Sequence, residues 1–226
     1  MTILPSKIFE VFEANDRGKR KLYTLNLVPG ESVYGESIIP TPRGEYREWE
    51  AQKSKIASYI LKGAQNIGLR KGSSVLYLGC STGTTVSHVS DIVGPEGIVF
   101  AVDMSPIVMR SMIFLCEKRK NIAPILESAT HPERLAKKAF AADMLFQDVA
   151  QKNQVDIFLN NCSLFLKDKG LGLLSVKARS IDVARNPKQI FNEVRRQLEQ
   201  TMMVVDARDL GPFQKDHCMF AVRRKG

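Results

Sequence analysis

The alternation of hydrophobic and polar positions changes rhythm part-way along the chain. Through residues 7–49 the apolar pieces are short (KIFEVFEA, KLYTLNL, ESVYGESII, GEYREW), and Asp16, Gly18, Pro29, Gly30, Pro40, Pro42 and Gly44 interrupt them. Short β-prone runs between turn residues predict a small antiparallel sheet. From residue 51 the segments lengthen, and AQKSKIASYILKGAQNIGL sets Ile56, Tyr59, Ile60 and Ala64 on one face of an amphipathic helix. The change of pattern divides the chain into a small N-terminal β domain, residues 1–52, and a larger domain, residues 53–226.

Beyond that helix the apolar runs SSVLYLG, GIVFAVD, APILES, DMLFQDV and LGLLSVKA alternate with helical stretches around 84–93, 106–119, 132–139 and 152–166. Strands separated by helices imply right-handed crossovers and a mostly parallel sheet covered on both faces. A further helix near 187–200 leads to TMMVVDARDL and HCMFAVR, and the LGPFQKD between them is too short for a crossover helix. That last pair should be antiparallel. The fold class is α/β, a doubly wound sheet closed by a C-terminal hairpin.

With 44% hydrophobic and 25% charged residues, the 226-residue chain has the make-up of a globular protein, which excludes a fibrous or disordered one. Lys and Arg total 33 against 24 Asp and Glu, a formal charge of +9. Such an excess suits a polyanionic partner and equally suits a solvated basic surface. Cys80, Cys116, Cys162 and Cys218 lie far apart, lack the CxxC spacing of zinc or redox sites, and read as small buried hydrophobes. His88, His131 and His217 offer no metal-ligand spacing, so no metal is expected. No targeting segment is evident and no apolar run approaches the ~20 residues that cross a bilayer, so an intracellular protein away from membranes is expected.

In a doubly wound sheet, ligands gather at the carboxyl ends of the strands. The first loop there, Gly79-Cys80-Ser81-Thr82-Gly83-Thr84-Thr85, has two glycines that permit close backbone approach and helix amides just beyond. It lacks the Lys of a Walker loop and the third glycine of a dinucleotide fingerprint, which removes both phosphate readings. Val102-Asp103-Met104 ends the next strand, where a carboxylate accepts both hydroxyls of a ribose or, alternatively, caps the helix at Ser105-Pro106. Asp148 and Lys177 end neighbouring strands and face one cleft, either as a proton-handling pair or as an ordinary ion pair. His88 reads as a partly buried helix residue with a satisfied nitrogen, and His217 opens the last strand, facing the cleft or serving structure.

The stretches NLVPGESVYGE, EYREW, VLYLGCSTGTTVSHVSDIVGPEG, KNIAPIL, DVAQ, KARSID and KDH run over nearly the whole chain and resemble fibrillarin, in its short archaeal-type form without an arginine and glycine-rich tail. GTTVSHVSDIVG is the most specific of them. The resemblance implies a class I S-adenosylmethionine-dependent methyltransferase, Rossmann-like with seven strands, beside a small N-terminal β domain. Its implied activity is RNA 2′-O-ribose methylation, as the catalytic subunit of a cytoplasmic box C/D guide RNA particle acting on pre-rRNA and tRNA. The implied partners are guide RNA, target RNA, a coiled-coil scaffold protein and a kink-turn-binding protein.

Carried over position by position, Gly79, Ser81, Gly83, Thr84 and Thr85 lie beside the cofactor, while Asp103 and Met104 hold its ribose and flank its adenine. Ser128 and Ala129 face the adenine, and Asp148, Val149, Ala150 and Gln151 line the methionine end. Lys55, Asp148 and Lys177 match the family's catalytic residues, with His217 a fourth member. Ser128 stands where the family usually has Asp, so a weaker or rearranged adenine contact is expected. Glu50, Ala51 and Lys53 replace the usual Asn, Pro and Arg beside Lys55. Two other readings stay open: a non-catalytic cofactor-binding subunit of the same particle, and a methyltransferase acting on a protein or small molecule.

Overall fold

The computed structural model describes residues 2–225. Its N-terminal part is an antiparallel sheet of β1 (Leu4–Pro5), β2 (Phe12–Asp16), β3 (Lys19–Leu25), β4 (Ile38–Thr41) and β5 (Gly44–Trp49), ordered β1-β2-β3-β5-β4. GEYREW coincides with β5 and KLYTLNL begins two residues beyond the start of β3, while the other two runs are only partly strand. KIFEVFEA opens with a turn in which Glu10 takes φ 53°. The first half of ESVYGESII is a loop gathered around the Glu36 carboxylate, which accepts from the Ser32 hydroxyl and the Val33 and Tyr34 amides.

The larger sheet contains β6 (Ser74–Leu78), β7 (Ile98–Asp103), β8 (Ile122–Leu126), β9 (Ala142–Gln147), β10 (Leu166–Lys177), β11 (Met202–Asp209) and β12 (His217–Arg224), in the order β11-β12-β10-β9-β6-β7-β8. β6 to β10 run parallel, and β12 lies antiparallel between β10 and β11. The chain winds outward from β6 to β8 and returns to β9 beside β6, which makes the ends of β6 and β9 the switch point where a cleft opens. The helices are α1 (Lys55–Leu61), α2 (Thr84–Val93), α3 (Pro106–Lys118), α4 (Pro132–Leu135), α5 (Gln154–Phe165), α6 (Ala178–Ile181) and α7 (Pro187–Thr201).

Burial on both faces explains the unbroken apolar runs of the parallel strands. Along β6, Val75 and Tyr77 enter one core with Ile56, Ile60, Val86 and Phe146, while Leu76 and Leu78 enter the other with Phe100, Leu145, Phe158 and Leu174. The first core also takes in Leu22 and Trp49 of the small sheet. α1 is much shorter than the 51–69 pattern. The Ser54 hydroxyl caps its start by accepting the Ala57 amide, and Gly63, at φ 93°, ends it just past Lys62. Ala64, Ile67 and Leu69 still reach the core, but from the returning loop.

A buried polar network fastens the small sheet to α2. The Arg47 guanidinium, fully buried, donates to Glu36, Asp91 and Ser87. Asp91 also accepts from Arg119 Nη1 at 2.5 Å, Thr24 Oγ1 at 2.8 Å and the Leu27 amide at 2.9 Å. His88 is buried beside it, with Nδ1 2.7 Å from Thr24 Oγ1, Nε2 2.8 Å from Tyr34 Oη, and its ring stacked on Trp49. The satisfied helix histidine read from sequence is this one, fully rather than partly buried. Cys80, Cys162 and Cys218 are buried and Cys116 half-buried, and burial pushes the Cys116 thiol up to about 11 and the Cys218 thiol up to about 12.

Candidate active site

The loop after β6 turns on three left-handed residues, Gly79 (φ 83°), Ser81 (φ 49°) and Gly83 (φ 93°). The amides of Gly79 and Cys80 donate to the Val102 carbonyl, tying the loop to the end of β7. A Cβ on Gly79 would sit 2.5 Å from the Asp148 carbonyl oxygen, so only glycine lets the β6 and β9 loops pass this closely. A Cβ on Gly83 would meet Leu115, so that glycine accommodates α3.

Asp103, at the tip of β7, receives the Ser81 amide on Oδ2 at 3.2 Å and the Ser105 amide on Oδ1 at 3.0 Å. Both carboxylate oxygens are thereby fixed, and each keeps a lone pair for a further donor. Gly79, Asp103, Met104, Ser128, Ala129, Asp148, Val149, Ala150 and Gln151 line one cavity of about 270 Å³ at the carboxyl ends of the strands. These are most of the residues placed at a cofactor from sequence. Ser81, Gly83, Thr84 and Thr85 lie outside that lining. Thr85 is buried, and its hydroxyl donates to Ser54 Oγ at 2.9 Å, bracing the cap of the helix that carries Lys55.

The Ser128 hydroxyl is already engaged: it accepts the Thr130 amide and lies 2.7 Å from Thr130 Oγ1. Asn161 of α5 holds this loop by donating to the Ala129 carbonyl at 2.8 Å. Sequence reasoning missed Glu127, which lines the same cavity and accepts the Ser128 amide on Oε1. Its neighbouring position to the family acid was the available signal.

On the far side of Asp148 stands the second cluster. Lys55 Nζ is 3.0 Å from Asp148 Oδ2, both side chains partly exposed. Lys177 and His217 face each other in the β10–β12 register. No carboxylate pairs with the Lys177 ammonium among the described residues. The His217 pKa is lowered, first by burial and then by the charges of Lys55 and Lys177, while the Lys215 carbonyl and Asp148 act the other way. With Nδ1 2.7 Å from the Lys215 carbonyl, its proton is placed there, leaving Nε2 as a lone-pair acceptor. The four residues assembled from sequence thus meet at one wall: a paired lysine and aspartate, an unpaired lysine and a neutral imidazole.

A nucleoside-sized cavity at the switch point, an acid at the tip of the second strand and a C-terminal antiparallel hairpin define an S-adenosylmethionine-dependent methyltransferase fold. An O-methyltransferase of that kind from Thermotoga maritima shares this fold at 13% identity, with a TM-score of 0.57 over 96% of this chain and 93% of the other. The family model described as Fibrillarin matches residues 4–226, and the chain belongs to that family. A fibrillarin-like rRNA/tRNA 2′-O-methyltransferase of Thermococcus gammatolerans is 47% identical over 93% of each chain. The crystal structure of Aeropyrum pernix fibrillarin with natively bound S-adenosyl-L-methionine is 38% identical, with a TM-score of 0.90 over 98% of each chain. Fibrillarin in a solved complex with Nop5p is 37% identical, with a TM-score of 0.86 over 96% of this chain and 99% of that one.

Proposed function

We propose that the chain is an S-adenosylmethionine-dependent RNA 2′-O-methyltransferase acting on rRNA and tRNA, the catalytic subunit of a box C/D guide RNA particle. The observation that carries the reading is the contact of Lys55 with Asp148 at the wall of the nucleoside-sized cavity, with Lys177 and His217 beside it. The cavity fits the cofactor chemically: Asp103 offers oxygen lone pairs to two ribose hydroxyls, and Gly79 lets the β9 loop that carries Asp148 close against the β6 loop. When bound, the cofactor supplies a sulfonium methyl group to an entering oxygen.

The residues have to align a ribose 2′-oxygen and make a weakly acidic hydroxyl nucleophilic. The unpaired Lys177 ammonium stabilises negative charge developing on that oxygen. Lys55 holds the Asp148 carboxylate at the boundary of the two sites, so Asp148 both lines the cofactor cavity and accepts the hydroxyl proton. His217, kept neutral with Nε2 free, is a second acceptor for the same proton.

A coiled-coil scaffold protein of the kind bound in the Nop5p complex is the proposed protein partner. Guide RNA, target RNA and a kink-turn-binding protein complete the proposal, because charge alone carries no sequence information and target choice must come from base pairing. We also place this work in the cytoplasm and divide the chain into residues 1–52 and 53–226. Among the described residues no helix is long and apolar enough to cross a membrane. The test is reconstitution with scaffold, kink-turn protein and guide RNA, followed by mapping of 2′-O-methyl positions. Methyl groups at the guided nucleotide are expected, with poor activity from the isolated chain. A particle that assembles without methylating would leave a binding subunit only.

A further inference from the structure

The amino ends of the parallel strands carry a feature that methyl transfer does not use. The segments entering β6 and β9 and the outer part of β10 enclose a cleft of about 430 Å³. Arg70, Lys71, Lys167, Lys169 and Arg223 line it, against a single carboxylate, Asp143. That carboxylate is spoken for: Oδ1 pairs with Lys167 at 2.8 Å, and Oδ2 accepts the Ser74 amide and hydroxyl. Arg70 is oriented by the Leu69 carbonyl and the face of Phe9. Lys71, Lys169 and Arg223 have no carboxylate partner among the described residues.

Much of the chain's net positive charge is thus focused in one concavity whose walls contain no aromatic side chain. Concave, one-signed surfaces concentrate counter-ions. A protein partner would look for buried aromatic or aliphatic anchors, and a free nucleotide for a platform on which its base could stack. The lining offers neither, its only sizeable apolar member being Leu171. Three uncommitted cations without a base platform match phosphodiester oxygens, which Lys and Arg neutralise without reading sequence.

We propose that this cleft is a second RNA contact, holding backbone phosphates of nucleotides other than the one being methylated. The inference rests on the RNA-directed function proposed above. The parallel strands separate the two sites by five or six residues, on the order of 17–20 Å at ~3.3 Å per residue, so one nucleotide cannot occupy both. RNA held at both ends of the sheet would be fixed in orientation as well as position. That suits a subunit whose target is selected elsewhere.

The full-length chain can be titrated with a short labelled single-stranded RNA across a salt series, reading fluorescence anisotropy. The variant K71Q/K169Q/R223Q is compared with K188Q/R196Q/R43Q, which removes the same charge from exposed positions elsewhere. The first triple should weaken binding at least about tenfold and lower the slope of log affinity against log salt by about 2, since each cation lost removes ~0.7 for a single strand. The second should change neither comparably, and cofactor binding should be unaffected in both. Equal effects of the two triples, or no effect of the first, would overturn the proposal. So would inorganic phosphate binding at this cleft as tightly as RNA, which would make it a free-anion site, or an acidic polypeptide binding there where RNA does not. Binding is read without methyl transfer: RNA held through this cleft by an inactive particle refutes the activity and keeps the site. An active particle indifferent to the first triple does the reverse.

Discussion

Lys55 and Lys177 carry the same formal charge into the same cleft and differ in what already holds them. Lys55 is committed to Asp148, while Lys177 meets no carboxylate among the described residues. Lys177→Ala should therefore remove charge stabilisation with little structural cost, lowering kcat by about 10²–10³-fold while the melting temperature and cofactor affinity hold. Single-turnover methyl transfer by the reconstituted particle checks this, and near-normal turnover would remove Lys177 from the chemistry. His217 makes a pH-dependent prediction. Its pKa is lowered below the ordinary imidazole value, so it is neutral at pH 7 and can accept a proton. Transfer should fall only as the pH drops below that ordinary value of about 6.5, and His217→Gln should lower the rate and remove this acid limb. An acid limb unchanged in the variant would assign the titration to another group.

At the scale of elements, the glycine loop shows what a sequence reveals and what it hides. Gly79 and Gly83 look equivalent in Gly79-Cys80-Ser81-Thr82-Gly83, yet one makes room for the β9 loop and the other for α3. An alanine at either position meets the left-handed φ penalty and a contact near 2.5 Å, a cost of about 1–3 kcal/mol. Only Gly79→Ala presses on the backbone of Asp148, so only it should also slow methyl transfer, by about 10²-fold for a shift near 1 Å. Equal rates in the two variants would show that the loop does not position Asp148. The alternation of strands and helices, the hairpin and the cleft-facing tips were legible because strand burial and short connections leave periodic marks. The pairing of Lys55 with Asp148 was not, since it depends on where α1 docks; the family likeness alone singled out Lys55. Thr85 shows the same limit: the family likeness put it beside the cofactor, and the hydrogen bond of its hydroxyl to Ser54 left no mark in the sequence. The engagement of the Ser128 hydroxyl with Thr130 was not legible either, because a local turn of this kind leaves no periodic trace.

At the scale of the whole molecule, the second half of GTTVSHVSD belongs to the joint between the sheets. The Asp91 carboxylate is buried and accepts from Arg47, Arg119, Thr24 and Leu27, so that with Glu36, the other carboxylate on Arg47, it balances two guanidiniums arriving from different parts of the chain. Asp91→Asn would keep the shape, remove the charge, and leave Arg119 with no carboxylate in contact. Breaking a buried pair costs about 3–5 kcal/mol, roughly 6–20 °C in Tm for a chain of this size. Trp49, the chain's only tryptophan, stacks on His88, so its fluorescence reports this joint while far-ultraviolet circular dichroism reports the whole. The two signals should melt together in the parent chain, and an early fluorescence transition would show that the network does not couple the sheets. His88 adds a pH dependence. Burial first, then the charges of Arg47 and Arg119, push its pKa well below the ordinary value. Unfolded, the ring binds a proton near pH 6.5; folded, it stays neutral until much lower pH, so protons favour the unfolded chain. The stability His88 contributes is present above about 6.5 and lost as the pH falls toward its lowered folded pKa. His88→Gln should melt lower than the parent at pH 7.5 and yet lose less on moving to pH 5.5. Parallel losses in the two proteins would assign the acid lability to carboxylates instead.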